Sequence, residues 1–104
     1  MCTSIVEITQ ADGMGKAGDD WFPMTTAVVA YDHARHALLP DAITLDFFHR
    51  DLPPSQRAAV EISLESAKAL RDALDRAIAA AEIEEAERAE SIARLAGVAH
   101  RKAA

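Results

Sequence analysis

Three side chains in this chain of 104 residues combine the right types for metal or nucleophile chemistry: Cys2, His33 and His36. One thiolate with two imidazoles is an N/S donor set that suits zinc, copper or nickel. Cys2 directly follows the initiator Met, and a small second residue permits removal of that Met. Removal would leave a thiolate beside a free α-amine. The amine could serve as a further ligand; alternatively Cys2 could act as a metal-free catalytic nucleophile with the amine or His33 as base. Asp32 and Asp41 flank the histidines and are candidates to orient a ring from behind. The bland alternative is that His33 is satisfied by backbone, His36 is a solvated loop residue and Cys2 is a small residue at a terminus. His49 reads as structural.

Something must carry these residues to one place, and the alternation of side chains says what. Residues 3–10 read as a first strand with Val6 and Ile8 inward. Residues 11–20 hold three glycines and read as a flexible loop, with Trp21 and Phe22 docking back as its anchor and Pro23 fixing the entry to the next strand. The second strand is about 25–33, with Ala27, Val29, Tyr31 and His33 on one face and Thr26, Val28, Ala30 and Asp32 on the other. The third is about 42–50. Asp46 lies on its polar face, placed to pair with Arg57 across the sheet. Leu52-Pro53-Pro54-Ser55 is a turn, and a fourth strand, about 57–63, turns Ala58, Val60 and Ile62 inward.

From Leu64 the period lengthens to that of a helix. Ala67, Leu70, Leu74, Ala77, Ile78 and Ala81 form one stripe. Ser63 is placed as the N-cap, and Glu65 suits the positive end of the dipole. Asp72/Arg76, Glu84/Arg88 and Glu90/Arg94 are acid-before-base pairs at i, i+4. No proline interrupts the run, so the helix is expected to reach about residue 96 and stop at Gly97. No coiled-coil heptad is sustained over three repeats.

Short links between strands favour an α+β fold: a four-stranded antiparallel meander with one long C-terminal helix packed on one face. Residues 1–81 then make the single domain, and 82–104 a helical extension or frayed tail that could pair with a symmetry mate. In an up-and-down meander, the start of strand one and the end of strand two share a rim. Cys2, His33 and His36 therefore fall together, and His49 falls at the opposite rim. The other sheet face, with Ile5, Val28, Ala30, Phe48 and Ala59, is apolar enough to be a candidate homodimer interface.

Bulk properties close off several function classes. Leu, Ile, Val and Phe number 23 of 104 residues, a thin supply for an independent core, which also favours a dimer. The net charge of −6 repels phosphate backbones, so nucleic acid is not an expected partner. Gly13-Met14-Gly15-Lys16-Ala17-Gly18 lacks the Gly-Lys-Ser/Thr ending of a phosphate loop. No apolar run is long enough for a bilayer, and no signal sequence is visible at the start, so no membrane association is expected. A single cysteine fits a reducing interior, and the expected location is cytoplasmic.

Several segments together resemble a small, uncharacterised bacterial family, a domain of unknown function. They are Met1-Cys2-Thr3, Ile5-Val6-Glu7, Lys16 in its glycine loop, Trp21-Phe22, Tyr31-Asp32-His33, His36-Ala37, Asp46-Phe47, Ala59-Val60-Glu61 and Ser66-Ala67. The likeness covers about residues 1–80, and Asp20 departs from the glycine expected before the Trp-Phe pair. The resemblance implies that Cys2, His33 and His36 belong to a shared pattern, and it supplies no activity. Three readings stay open: a small metal-binding protein or metalloenzyme; an enzyme with an N-terminal cysteine nucleophile; and a non-catalytic dimeric module that binds a protein partner or small molecule.

Overall fold

The computed structural model describes residues 5–103, with side chains described for residues 5–97. Four strands, β1 (Val6–Ala17), β2 (Asp20–His33), β3 (Asp41–Phe48) and β4 (Arg57–Ile62), precede one helix, α1 (Leu64–Ala103). The strands form an antiparallel sheet in the order β1-β2-β3-β4, so the fold is α+β with the expected meander. The chain divides into two compact units, one ending at Ala67 and the other beginning at Lys68.

Within the first unit, β1 comes close to β4, the opposite edge, so the sheet curls strongly. Cross-strand partners share a face. One face carries the rows Ile8–Val28–Asp46–Ala59 and Val6–Ala30–Thr44–Glu61. The other carries Glu7–Val29–Leu45–Val60 and Thr9–Ala27–Phe47–Ala58. Val6 and Ile8 therefore stand on the Val28 face rather than on the Val29 face expected for them, and Ile8 is 70% exposed. Their own apolar character suggested the inward position. The register with β2 decides it instead, because a one-residue slip exchanges the faces.

The expected loop at 11–20 is a β-hairpin. β1 and β2 stay paired from Gly13↔Met24 to Ala17↔Asp20, beyond an irregularity between Gln10 and Gly13. Gly18 and Asp19 turn the chain, and Gly18 has a φ of 63°. A positive φ at the first central position alone is the pattern of a type II′ turn, which matches the twist of the strands. Pro23 lies inside β2, where β1 is the only paired strand, since β3 begins its pairing at Thr26↔Phe48. Of the two residues expected to anchor this arm, only Phe22 does so, at 3% exposed; Trp21 does not dock, because strand alternation puts it on the other face, where it is 61% exposed. Gly15 makes room for Phe22, because a Cβ there would fall 2.8 Å from Phe22 Cζ. Ala27, Ala42 and Thr26 are buried as well.

Helix α1 starts where the cap was expected. Ser63 Oγ accepts the Ser66 N–H at 3.1 Å, and the Ala67 N–H donates to the Ser63 carbonyl at 2.9 Å. The helix does not stop at Gly97 but runs on to Ala103. A mid-helix glycine costs only about 1 kcal/mol relative to alanine, and the flanking alanines offset it. Glu90 and Arg94 pair at 3.4 Å, whereas Asp72 pairs with its neighbour Arg71 at 3.2 Å. Leu70, Leu74, Ile78, Ile83, Ile92 and Leu95 are all exposed along the helix.

Candidate functional site: a histidine rim

Strand β2 ends at His33 and β3 begins at Asp41, and the two residues are cross-strand partners. The pairing brings His33 Nδ1 to 3.0 Å from an Asp41 carboxylate oxygen. A carboxylate at Nδ1 fixes the orientation of the ring. Asp32 faces the backbone instead: its carboxylate accepts the His33 N–H at 2.7 Å. Of the two aspartates expected behind the histidines, Asp41 is thus the one that touches a ring nitrogen.

The loop between β2 and β3 is tied down by a residue that sequence reasoning gave no role. Glu61 of β4 accepts three consecutive backbone N–H groups, from Arg35 at 2.8 Å, His36 at 2.7 Å and Ala37 at 2.9 Å. Successive amides converging on one anion make a nest, here filled by a side chain of the same protein. The hydrogen bonds from Arg35, then Ala37 and His36, hold the Glu61 carboxyl below the ordinary carboxylate range, with partial desolvation opposing them. The Ala34 N–H closes the loop on the Pro40 carbonyl at 3.4 Å. One signal for Glu61 was legible: with Ala58, Val60 and Ile62 turned one way, Glu61 must face the other.

His33 and His36 line one concavity of about 710 Å³, together with Asp32, Arg35, Glu61 and the polar pair Asp46–Arg57. The strand alternation suggested this pairing, and the pair is bidentate: Arg57 Nε donates to one Asp46 oxygen at 3.0 Å, and Arg57 Nη2 to the other. Ile5 begins the described chain at this same rim, since its carbonyl accepts the Tyr31 N–H at 3.1 Å. Cys2, the expected thiol ligand and nucleophile, lies outside the described residues. Among the described residues no group of three or more His, Cys, Asp or Glu side chains is gathered to hold a metal ion.

His49 stands at the far end of β3, where its Nδ1 accepts the Asp51 N–H at 3.0 Å. This is the structural role expected of it. It borders a smaller concavity of about 300 Å³ with Gln10, Asp12, Thr25, Arg50 and Asp51. Among the described residues no helix is long and apolar enough to cross a membrane.

Residues 1–87 match a family described as “Family of unknown function (DUF6295)”. The chain belongs to DUF6295. The match spans the whole sheet of this DUF6295 member, the histidine rim and α1 as far as Glu87. No curated protein and no solved structure matches the chain. DUF6295 membership brings no activity with it.

Proposed function

We propose that this protein binds a divalent transition metal at the rim of its sheet, through His33, His36 and the thiolate of Cys2. The observation behind the proposal is that both histidines line one concavity while Asp41 engages His33 Nδ1. A carboxylate behind a histidine fixes the orientation of its ring, as it does behind metal-bound histidines. Glu61 holds the backbone of His36 in place. Two imidazoles alone make a weak site, and a soft third donor would make it selective for zinc, copper or nickel.

The test is metal analysis with intact mass on untagged protein. Stoichiometric metal is expected, lost in Cys2→Ala and in His33→Ala. Asp41→Asn should weaken metal affinity roughly 10- to 100-fold without unfolding the sheet. Native protein purified without metal, and melting at the same temperature with and without chelator, would overturn the proposal.

A second reading draws on the same concavity. Asp46 and Arg57 form its floor and are only partly exposed, at 23% and 51% of their side chains. A cleft lined by paired charges and an apolar wall from Val28 and Ala59 suits a small polar ligand without catalysis. A ligand whose binding is abolished by Arg57→Ala but indifferent to chelator would favour this reading over the metal.

A further inference from the structure

We propose that helix α1 is a self-association element, and that a second copy of this chain pairs with it antiparallel. The inference is independent of the metal reading. The helix is continuous from Leu64 to Ala103, and its leucines and isoleucines from Leu64 to Leu95 are exposed. An amphipathic stripe of this extent gains most of its stability by packing against something.

The order of residues along the stripe says what that something is. Ile78, Ala81, Glu85, Arg88, Ile92 and Leu95 follow one another at alternating spacings of three and four. This is the spacing of a seam that faces a partner helix. The row is symmetric in character about the point between Ala86 and Glu87. Turned end for end on that point, Ile78 meets the partner's Leu95 and Ala81 meets the partner's Ile92. The small alanine then opposes the large isoleucine, as interdigitated packing requires.

The two charged positions, which would spoil an apolar seam, become its specificity device. Glu85 meets the partner's Arg88, and Arg88 meets the partner's Glu85. A parallel pairing in register would instead set Glu85 against the partner's Glu85 and Arg88 against the partner's Arg88. The charges thus favour the antiparallel arrangement over the parallel one. Such an interface is isologous and closes at two copies.

The experiment uses the full chain and two single charge reversals, E85R and R88E. Wild type is expected to be a dimer by light scattering at micromolar concentration. Each reversal alone sets two like-charged pairs into the seam and should weaken self-association roughly tenfold or more. Mixed in equal amounts, the two variants restore complementarity at both pairs and should dimerise with one copy of each. A change in helix stability within one chain cannot produce that rescue.

Orientation is read in a Cys2→Ser background. Copies carrying Ile78→Cys and copies carrying Leu95→Cys should form a disulfide when mixed, and neither should cross-link alone. A monomeric wild type, a mixture no tighter than its components, or either cysteine variant cross-linking by itself would overturn the proposal.

Discussion

Substituting Gly15 by alanine tests the packing of the hairpin arm with a single methyl group. Neither Gly13 nor Gly15 has a positive φ, so the backbone accepts alanine at both. At such sites Gly→Ala stabilises by about 0.4–1 kcal/mol, because it restricts the unfolded chain. At Gly13 nothing lies within 4 Å of the new Cβ, so that gain is unopposed. At Gly15 the Cβ falls 2.8 Å from Phe22 Cζ and 3.0 Å from Cε1. Phe22 is 3% exposed, so its ring must leave a packed position to relieve the clash. Overpacking of this kind costs about 1–3 kcal/mol. The two substitutions should therefore differ by about 1–3 kcal/mol, Gly13→Ala being neutral to stabilising and Gly15→Ala destabilising. For a domain of this size that separates their melting temperatures by roughly 5–20 °C. Trp21, the only tryptophan, sits next to Phe22 and reports the melt by fluorescence. Phe22→Leu, which shortens the clashing side chain, should cost less in the Gly15→Ala background than in wild type. Equal melting temperatures for the two glycine variants would refute the account of the arm.

Three further perturbations probe the rim. The Glu61 carboxyl is held below its ordinary range, so its contribution to the loop is complete above the unfolded value and is lost as pH falls through the lower, folded value. Protection of the Arg35, His36 and Ala37 amides, measured as exchange relative to the intrinsic rate at each pH, should persist down to the ordinary carboxylate range and be lost only in stronger acid; loss of protection already near pH 6 would contradict the nest. Glu61→Gln should free the Arg35 amide first, because His36 and Ala37 share one oxygen of the carboxylate while Arg35 uses the other. Replacing Asp46 or Arg57 by alanine should cost about 1 kcal/mol at most, since the pair is half open to solvent. A double-mutant cycle in urea that gives no coupling between them would mean that the pair is geometric only.

Much of this architecture is legible in residue order. Alternation placed four strands, the prolines at 53 and 54 separated the last two, and the lengthening period after Ser63 marked the helix and its cap. Asp46 and Arg57 could be paired from the alternation alone. What escaped has physical reasons. Glycine carries no side chain, so the period-two signal vanished across residues 11–20 although the backbone continued to pair. The face of β1 depends on its register with β2, which no property of Val6 or Ile8 encodes. Gly97 resembled a stop, but its penalty is small against a run of alanines. The anchoring of the His36 loop by Glu61 joins residues some 25 apart in sequence and has no local signature. Cys2, the residue with the sharpest chemistry, is the one that the described residues leave untouched.

The three tethers on Glu61 also carry a message about timing. The loop they hold is made by residue 40, but the group that holds it arrives only with the last strand. Ribosomal synthesis would release the histidines well before their clasp exists, and long-range closures of this kind are slow steps. The ring beside Asp41 can find its neighbour early, through the hairpin that joins β2 to β3. The ring at position 36 has to wait for the sheet to be finished, so any chemistry that needs both rings begins only once the whole meander has formed.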